Sequence, residues 1–446
     1  MMRSKLEDLE INPKAPFAEC KLGRQKYAEI LTQIVSQYNK GCVLAINGEW
    51  GTGKTTFVRM WKQYLIDHEF NTLYFNVWEN DFISDPLIGF IGEFKELSHE
   101  YQLESELNKV TTAASKIVLS LVRGFIKLKI GSDVVGTYKE CTEGVKHVDV
   151  LSKEFQDYED QKNSIKEFRK ALGEFVNKCN TEKPIIFFVD ELDRCGPSYA
   201  VKVLERIKHL FSIQNIVFVL SVDKKQLCNA IKGYYGSESL DAENYLKRFI
   251  DIEYNLPEPE YKDFCHYLYD KFEIEKHINN LEYGRDFLNF SIDLFQYNKL
   301  SLRQMEKIYS HASLAISCNK KLKCDSLLFL FFVFIKICHS DIYTLFEQKK
   351  YEEPQEFIDA LEPFLPNESA SLSISSSVLA EALCAYFSQI ENFSTKDINL
   401  EIEQSAFHKI DKSAIKEAAG RYHNSFSNKN TYERLTQLID LLINFN

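Results

Sequence analysis

The stretch Gly48-Glu49-Trp50-Gly51-Thr52-Gly53-Lys54-Thr55 fits the pattern G-x-x-x-x-G-K-[ST] at every position, and it follows the apolar run Cys42-Val43-Leu44-Ala45-Ile46. That order leaves few folds open. A buried strand must feed a glycine-rich turn, and the turn must open a helix whose first N–H groups have no partner within the helix. Those N–H groups and the helix dipole attract anions. Gly48, Gly51 and Gly53 let the backbone curl round a phosphate chain without Cβ clashes. In this pattern Lys54 reaches the β- and γ-phosphates, and the Thr55 hydroxyl ligates Mg²⁺. With Glu49, Trp50, Thr52 and Thr56 the candidate binding set runs over 48–56. A nucleoside triphosphate is the ligand this turn is built for.

Hydrolysis needs more: a second anchor for the metal and a group that activates water. The run Ile185-Ile186-Phe187-Phe188-Val189 ends in Asp190-Glu191, so an apolar strand delivers two carboxylates at its C-terminal edge. Ligands of open α/β sheets bind outside that edge. Asp190 is the expected Mg²⁺ ligand and Glu191 the expected water-polarising base. Lys54 and Asp190 are 136 positions apart, so the account requires a sheet to bring them together. A further strand, Ile216-Val217-Phe218-Val219-Leu220, ends in Ser221-Val222-Asp223. Either Ser221 or Asp223 contacts the γ-phosphate or the water, or Asp223 caps the following helix. Lys247-Arg248 precedes Phe249-Ile250-Asp251-Ile252. Arg248 either reaches a neighbouring subunit's nucleotide or is an exposed salt-bridging side chain.

Helical spacing over Arg24 to Tyr38 and Thr55 to Asp67, a second strand at Leu73–Trp78 and a helix over Tyr199–Phe211 alternate with the apolar runs. This is the pattern of a three-layer α/β fold with a parallel sheet. Residues of about 85–180 form a helical, charged insert. After Pro257 helical periodicity dominates. The expected domains are a nucleotide-binding core over 1–257, a helical lid over 258–345 and a helical domain over 346–446. The serine-rich stretch Ser369–Ser377 is a loop candidate.

Of 446 residues 45% are apolar, enough for two or three cores, and the net charge of −11 argues against a duplex-coating surface. The eleven cysteines are odd in number and lack any C-x-x-C pair, which suits a reducing cytoplasm better than a disulfide framework or a zinc site. Leu327–Ile335 is apolar for only nine residues before Lys336, where a membrane span needs about 20. A buried helix is expected. Ile117–Ile130 is broken by Arg123, Lys127 and Lys129; it packs against protein or, peripherally, against a membrane surface.

Gly48–Thr55, Phe75-Asn76-Val77-Trp78, Asp190-Glu191-Leu192-Asp193-Arg194-Cys195 and Tyr245-Leu246-Lys247-Arg248-Phe249 occur in one order, after Leu22-Gly23-Arg24. Together they resemble the KAP family of P-loop NTPases over about residues 17–310. The resemblance implies an additional-strand (ASCE, AAA+-like) fold, followed by a helical lid. It also implies ATP with Mg²⁺ on Thr55 and Asp190, Glu191 as the hydrolytic carboxylate, and Arg303 as a lid arginine that senses the γ-phosphate. Many members carry transmembrane helices between the two nucleotide motifs. The charges within 117–130 depart from that, and the chain resembles the soluble bacterial members, which are linked with phage exclusion and defence.

Three functions share these parts. The first is an ATP hydrolase whose nucleotide state moves the lid or assembles a homo-oligomer. The second is a slow-turnover, ATP-gated scaffold that recruits a partner protein through its C-terminal helices. A nucleic-acid motor is disfavoured by the acidic charge and the lack of a nucleic-acid module. Glu191 favours turnover, and the lack of a guanine-reading Asn/Thr-Lys-x-Asp string favours ATP.

Overall fold

The computed structural model describes residues 11–38, 40–134, 146–179, 182–210, 213–258, 260–278, 286–318, 325–367, 372–389, 405–407, 412–413, 415–416 and 431–441, without the side chains of 120–134, 146–155, 157, 210, 277 and 318. Asp8–Pro257 forms one compact unit and Glu258–Asn446 another.

The first unit runs α1 (Gln25–Ser36), β1 (Cys42–Asn47), α2 (Lys54–Asp67), β2 (Thr72–Asn76), α3 (Pro86–Glu100), α4 (Glu104–Val134), α5 (Lys146–Lys178), β3 (Ile185–Asp190), α6 (Pro197–Leu210), β4 (Ile216–Val222), α7 (Lys224–Tyr235), α8 (Ala242–Leu246) and β5 (Ile252–Asn255). The sheet order is β2-β3-β4-β1-β5, and every pairing is parallel. All five strands therefore end at one rim. Strand β4 lies between the phosphate-loop strand β1 and the carboxylate strand β3. In register, Asp190 sits beside Ser221 and Ser221 beside Ile46. This is the additional-strand arrangement of a P-loop α/β core.

Strands β3 and β4 are buried at every residue, because helices cover both faces; hence their unbroken apolar composition. On one face Leu44, Ile46, Ile186, Phe188, Val217 and Val219 pack with Leu31, Phe57 and Trp61 of α1 and α2. On the other, Phe75, Phe187 and Phe218 meet Phe90 and Phe94 of α3 and Phe175 of α5. Phe187 stacks on Phe218 at 5.0 Å, and Phe90 stands edge-on to Phe75 at 5.0 Å. Gly89 makes that approach possible: a Cβ there would come within 2.5 Å of the Phe75 ring.

Two departures from expectation have local causes. The run Leu73–Trp78 leaves the sheet at Asn76, and Trp78–Asn80 is a 3₁₀ turn. The Asn76 side chain accepts from the Glu79 N–H (3.3 Å), and Asn80 donates back to the Asn76 carbonyl (2.8 Å), local bonds that compete with the ladder. Strand β5 was not expected. It is an edge strand with half-buried alternate residues, held to β1 by Asp251 accepting from Val43 N–H and by Asn47 donating to Asn255, both at 2.8 Å.

In the second unit the described elements are all helices. Leu327–Ile335 lies within Ser326–Cys338 and is buried throughout. Chain on both sides of position 345 is joined here: Lys336 pairs with Asp440 at 2.6 Å, and the Tyr343 hydroxyl donates to the same carboxylate at 2.8 Å. The serine-rich stretch is not a loop where it is described, because Leu372–Phe387 is a helix. Its hydroxyls bond within the structure: Ser376 to Leu372 O, Ser377 to Ser373 O and Ser375 to Pro366 O. Among the described residues no single helix is long and apolar enough to cross a membrane; Ser326–Cys338 and Ser340–Glu347 reach that length only together, bent by 120°. The expected surface helix at 117–130 has helical backbone, but its side chains beyond Leu119 lie outside the described residues.

Candidate nucleotide site

The phosphate loop bridges the end of β1 and the start of α2. Gly51 and Gly53 have φ of +82° and +79°, left-handed conformations that other residues adopt only with strain. A Cβ on Gly48 would lie 3.1 Å from the Thr52 hydroxyl. No side chain caps α2, whose N-cap is Gly53. The first-turn N–H groups therefore face the loop without a side-chain acceptor, a donor set that fits a polyphosphate.

Lys54 is nearly buried and its ammonium donates to the Gly48 carbonyl (2.6 Å) and the Glu49 carbonyl (3.0 Å). Burial pulls its pKa down, Asp193, Asp223 and Asp190 pull it back up, and Arg194 pushes it lower. Lys54 thus shares one site with both carboxylate strands. Thr55 is half-buried beside it and Thr56 is exposed.

Asp190 is 1% exposed at the tip of β3. Its Oδ1 accepts from the Glu191 N–H at 2.9 Å and its Oδ2 from the Tyr74 hydroxyl at 2.9 Å. Both oxygens keep lone pairs for a cation. A hydroxyl at Thr55 with a carboxylate at Asp190 is an all-oxygen donor set of the kind Mg²⁺ accepts. Glu191 has φ +60°, a strained conformation for a glutamate. Its Oε1 pairs with Arg194 at 2.5 Å, and Asn76 points a side-chain N–H at its Oε2 from 3.4 Å. Burial raises the Glu191 pKa, and Arg194 opposes the rise.

Ser221 is completely buried, and its Oγ finds no hydrogen-bond partner among the described residues. Asp223 caps α7 by accepting from the Gln226 N–H, and its other oxygen accepts from the Trp50 N–H, both at 3.2 Å. Arg248 is exposed in the turn after α8, without a charged partner among the described residues. Arg303 is exposed in the first turn of Leu302–Cys318, in the second unit.

Several contributors were not identified as site residues from sequence. Arg24, 2% exposed, forks onto the carbonyls of Thr52 (2.8 Å) and Gly53 (3.1 Å) from the start of α1. Burial pushes its pKa down to about 10. Asp193 accepts from the Trp50 indole N–H, and Tyr74 orients Asp190. The available signal for Tyr74 was its place two residues before Asn76 on a neighbouring strand.

Residues 24–314 match the KAP family P-loop domain. The chain is similar to the phage T7 exclusion protein of Escherichia coli (strain K12), 23% identical over 239 residues, which are 49% of this chain and 30% of that protein. It therefore spans about a third of that relative's length. Among solved structures, the ORC2 protein of Aeropyrum pernix in ADPNP–ADP complexes aligns over 90% of this chain and 95% of its own, at 12% identity and a TM-score of 0.34. Cdc6p of Pyrobaculum aerophilum aligns over 95% of each chain, at 12% identity and a TM-score of 0.36.

Proposed function

We propose, from the premise that this chain belongs to the KAP family of P-loop NTPases, that it is a Mg²⁺-dependent ATP hydrolase. Its nucleotide state would drive a conformational change or the assembly of an oligomer. The observation that carries this reading is the meeting of Lys54, Asp190 and Glu191 at one sheet rim, with only β4 between their strands.

In this reading the α2 N-terminus and the loop amides bind the phosphates, and Lys54 turns from the loop carbonyls to the β- and γ-oxygens. Thr55 and Asp190 would hold the magnesium ion, whose contribution is to neutralise charge on the transferring phosphoryl group. Glu191 orients and deprotonates water once it exchanges Arg194 for that water. Arg248 is exposed and free to act on a neighbouring copy, and Arg303 on the second unit is the candidate γ-phosphate sensor. A role in phage defence is supported by the similarity to the phage T7 exclusion protein.

One observation favours the slow-turnover alternative, an ATP-gated scaffold: Glu191 is held in an ion pair rather than presented to water. Steady-state hydrolysis separates the two. Multiple turnovers abolished by Lys54→Ala and by Glu191→Gln support the hydrolase. A wild-type rate equal to that of Glu191→Gln leaves the scaffold.

A further inference from the structure

We propose that Asp193 is a positioning residue of the phosphate loop, acting through the indole N–H of Trp50. Trp50 sits in the middle of the loop and is 45% exposed. An exposed indole gains little from burial, so its place is set by its polar contacts. Among the described residues Trp50 makes two, one through its indole and one through its backbone N–H, and both acceptors are carboxylates. Asp193, 8% exposed and three residues past the end of β3, accepts the indole N–H. Asp223, 5% exposed at the end of β4, accepts the backbone N–H of the same residue at 3.2 Å.

The loop's internal bond from Thr52 N–H to Glu49 O is long, at 3.4 Å, and Arg24 secures only the carbonyls of residues 52 and 53. Glu49 O also accepts from Lys54 Nζ (3.0 Å) and from the Thr52 hydroxyl (2.8 Å), donors of the loop and its own helix. Among the described contacts, the Trp50 clamp is what ties residues 49–51 to the ends of β3 and β4. A carboxylate acceptor makes the indole bond charge-assisted, which gives it about twice the strength of a neutral one. The bond also joins the two motifs directly: the strand end that carries Asp190 and Glu191 fixes the shape of the loop that carries Lys54. Loop amides held in place before the ligand arrives need no ordering on binding, and that saving appears as affinity.

The inference rests on the phosphate-binding reading of the loop, and its test separates the two. The Kd of a non-hydrolysable ATP analogue with Mg²⁺ is measured by calorimetric titration for wild type, Trp50→Phe, Asp193→Ala, Asp193→Asn and the Trp50→Phe/Asp193→Ala pair, each checked for folding by circular dichroism. Trp50→Phe keeps a ring at the partly exposed site and leaves the Asp193 charge intact, so it reports on the hydrogen bond alone. Expected is a Kd raised about tenfold in Trp50→Phe and in Asp193→Ala, the weight of one charge-assisted bond. The pair is then no worse than either single change, because both remove the same bond. Asp193→Asn, which keeps a neutral acceptor of about half the strength, recovers about half of that loss on a logarithmic scale, a Kd raised about threefold. An unchanged Kd in Trp50→Phe, or multiplied losses in the pair, overturns the clamp. So does an Asp193→Asn protein that binds normally but cannot turn over, which would place Asp193 in the chemistry. A folded wild type that fails to bind the analogue removes the phosphate-site reading itself.

Discussion

Arg24 is a buried cation whose described partners are two carbonyls, and replacing it tests how the phosphate loop is supported. Its pKa is lowered to about 10 from 12.5, which at 1.36 kcal/mol per unit is a burial cost of about 3 kcal/mol. Against that, two charge-assisted bonds to Thr52 O and Gly53 O contribute about 1.5–3 kcal/mol each. Arg24→Met removes both the burial cost and the bonds, so the net loss of stability is about 1–2 kcal/mol. Arg24→Lys keeps a buried charge but cannot fork onto two adjacent carbonyls. It should be at least as destabilising as Met, by about 2–3 kcal/mol. Urea unfolding of the three proteins gives the stabilities, and titration with an ATP analogue gives the affinities, which should fall about tenfold in both variants as the loop loses its support. If Arg24→Lys matches wild type in both measurements, the fork geometry contributes nothing and the reasoning is wrong.

The acid limb of kcat/KM reports the free enzyme's base. Burial raises Glu191 above 4.5 while Arg194 holds it down, so the midpoint lies above pH 4.5 and Arg194→Ala moves it to higher pH; no movement, or a shift to lower pH, removes the Glu191–Arg194 pair from the mechanism. Glu93 is lifted to about 7, by burial first and by Glu96 second. The folded protein thus binds more protons than the unfolded chain between pH 4.5 and about 7, and stability falls as pH rises through that window. Glu93→Gln should stabilise by about 1 kcal/mol at pH 8 and hardly at all at pH 5, read from urea midpoints. If Arg248 acts in trans, specific activity rises with protein concentration, and Arg248→Ala loses hydrolysis at least about a hundredfold while still binding the analogue; an active Arg248→Ala protein ends that role.

What was legible in the sequence is what is written contiguously. The glycine loop, its preceding strand and the apolar strands at 185 and 216 announce themselves because both-face burial leaves no polar alternation to confuse. Strand β5 escaped because Ile252-Glu253-Tyr254-Asn255 is short, half-polar and at the edge, with only β1 beside it. The serine-rich stretch Ser369–Ser377 is a loop candidate by composition, yet from Leu372 onward, where it is described, its hydroxyls bond back to preceding carbonyls and the helix holds. The loop's supports were illegible for another reason. Arg24 to Gly53, Tyr74 to Asp190 and Trp50 to Asp193 span 29, 116 and 143 positions, and such pairs appear only once strand order and register are known. For Asp223 the sequence left capping and ligand contact as alternatives; the structure has it capping α7 and holding the Trp50 N–H as well.

The central claim is that Lys54 and the β3 carboxylates form one triphosphate site. Calorimetric titration of a non-hydrolysable ATP analogue, in the presence of Mg²⁺, tests it most directly. The account predicts one molecule bound per chain and an affinity reduced at least about a hundredfold in Lys54→Ala, the loss of a buried charge–phosphate contact. Equal affinity in a folded Lys54→Ala protein would contradict it.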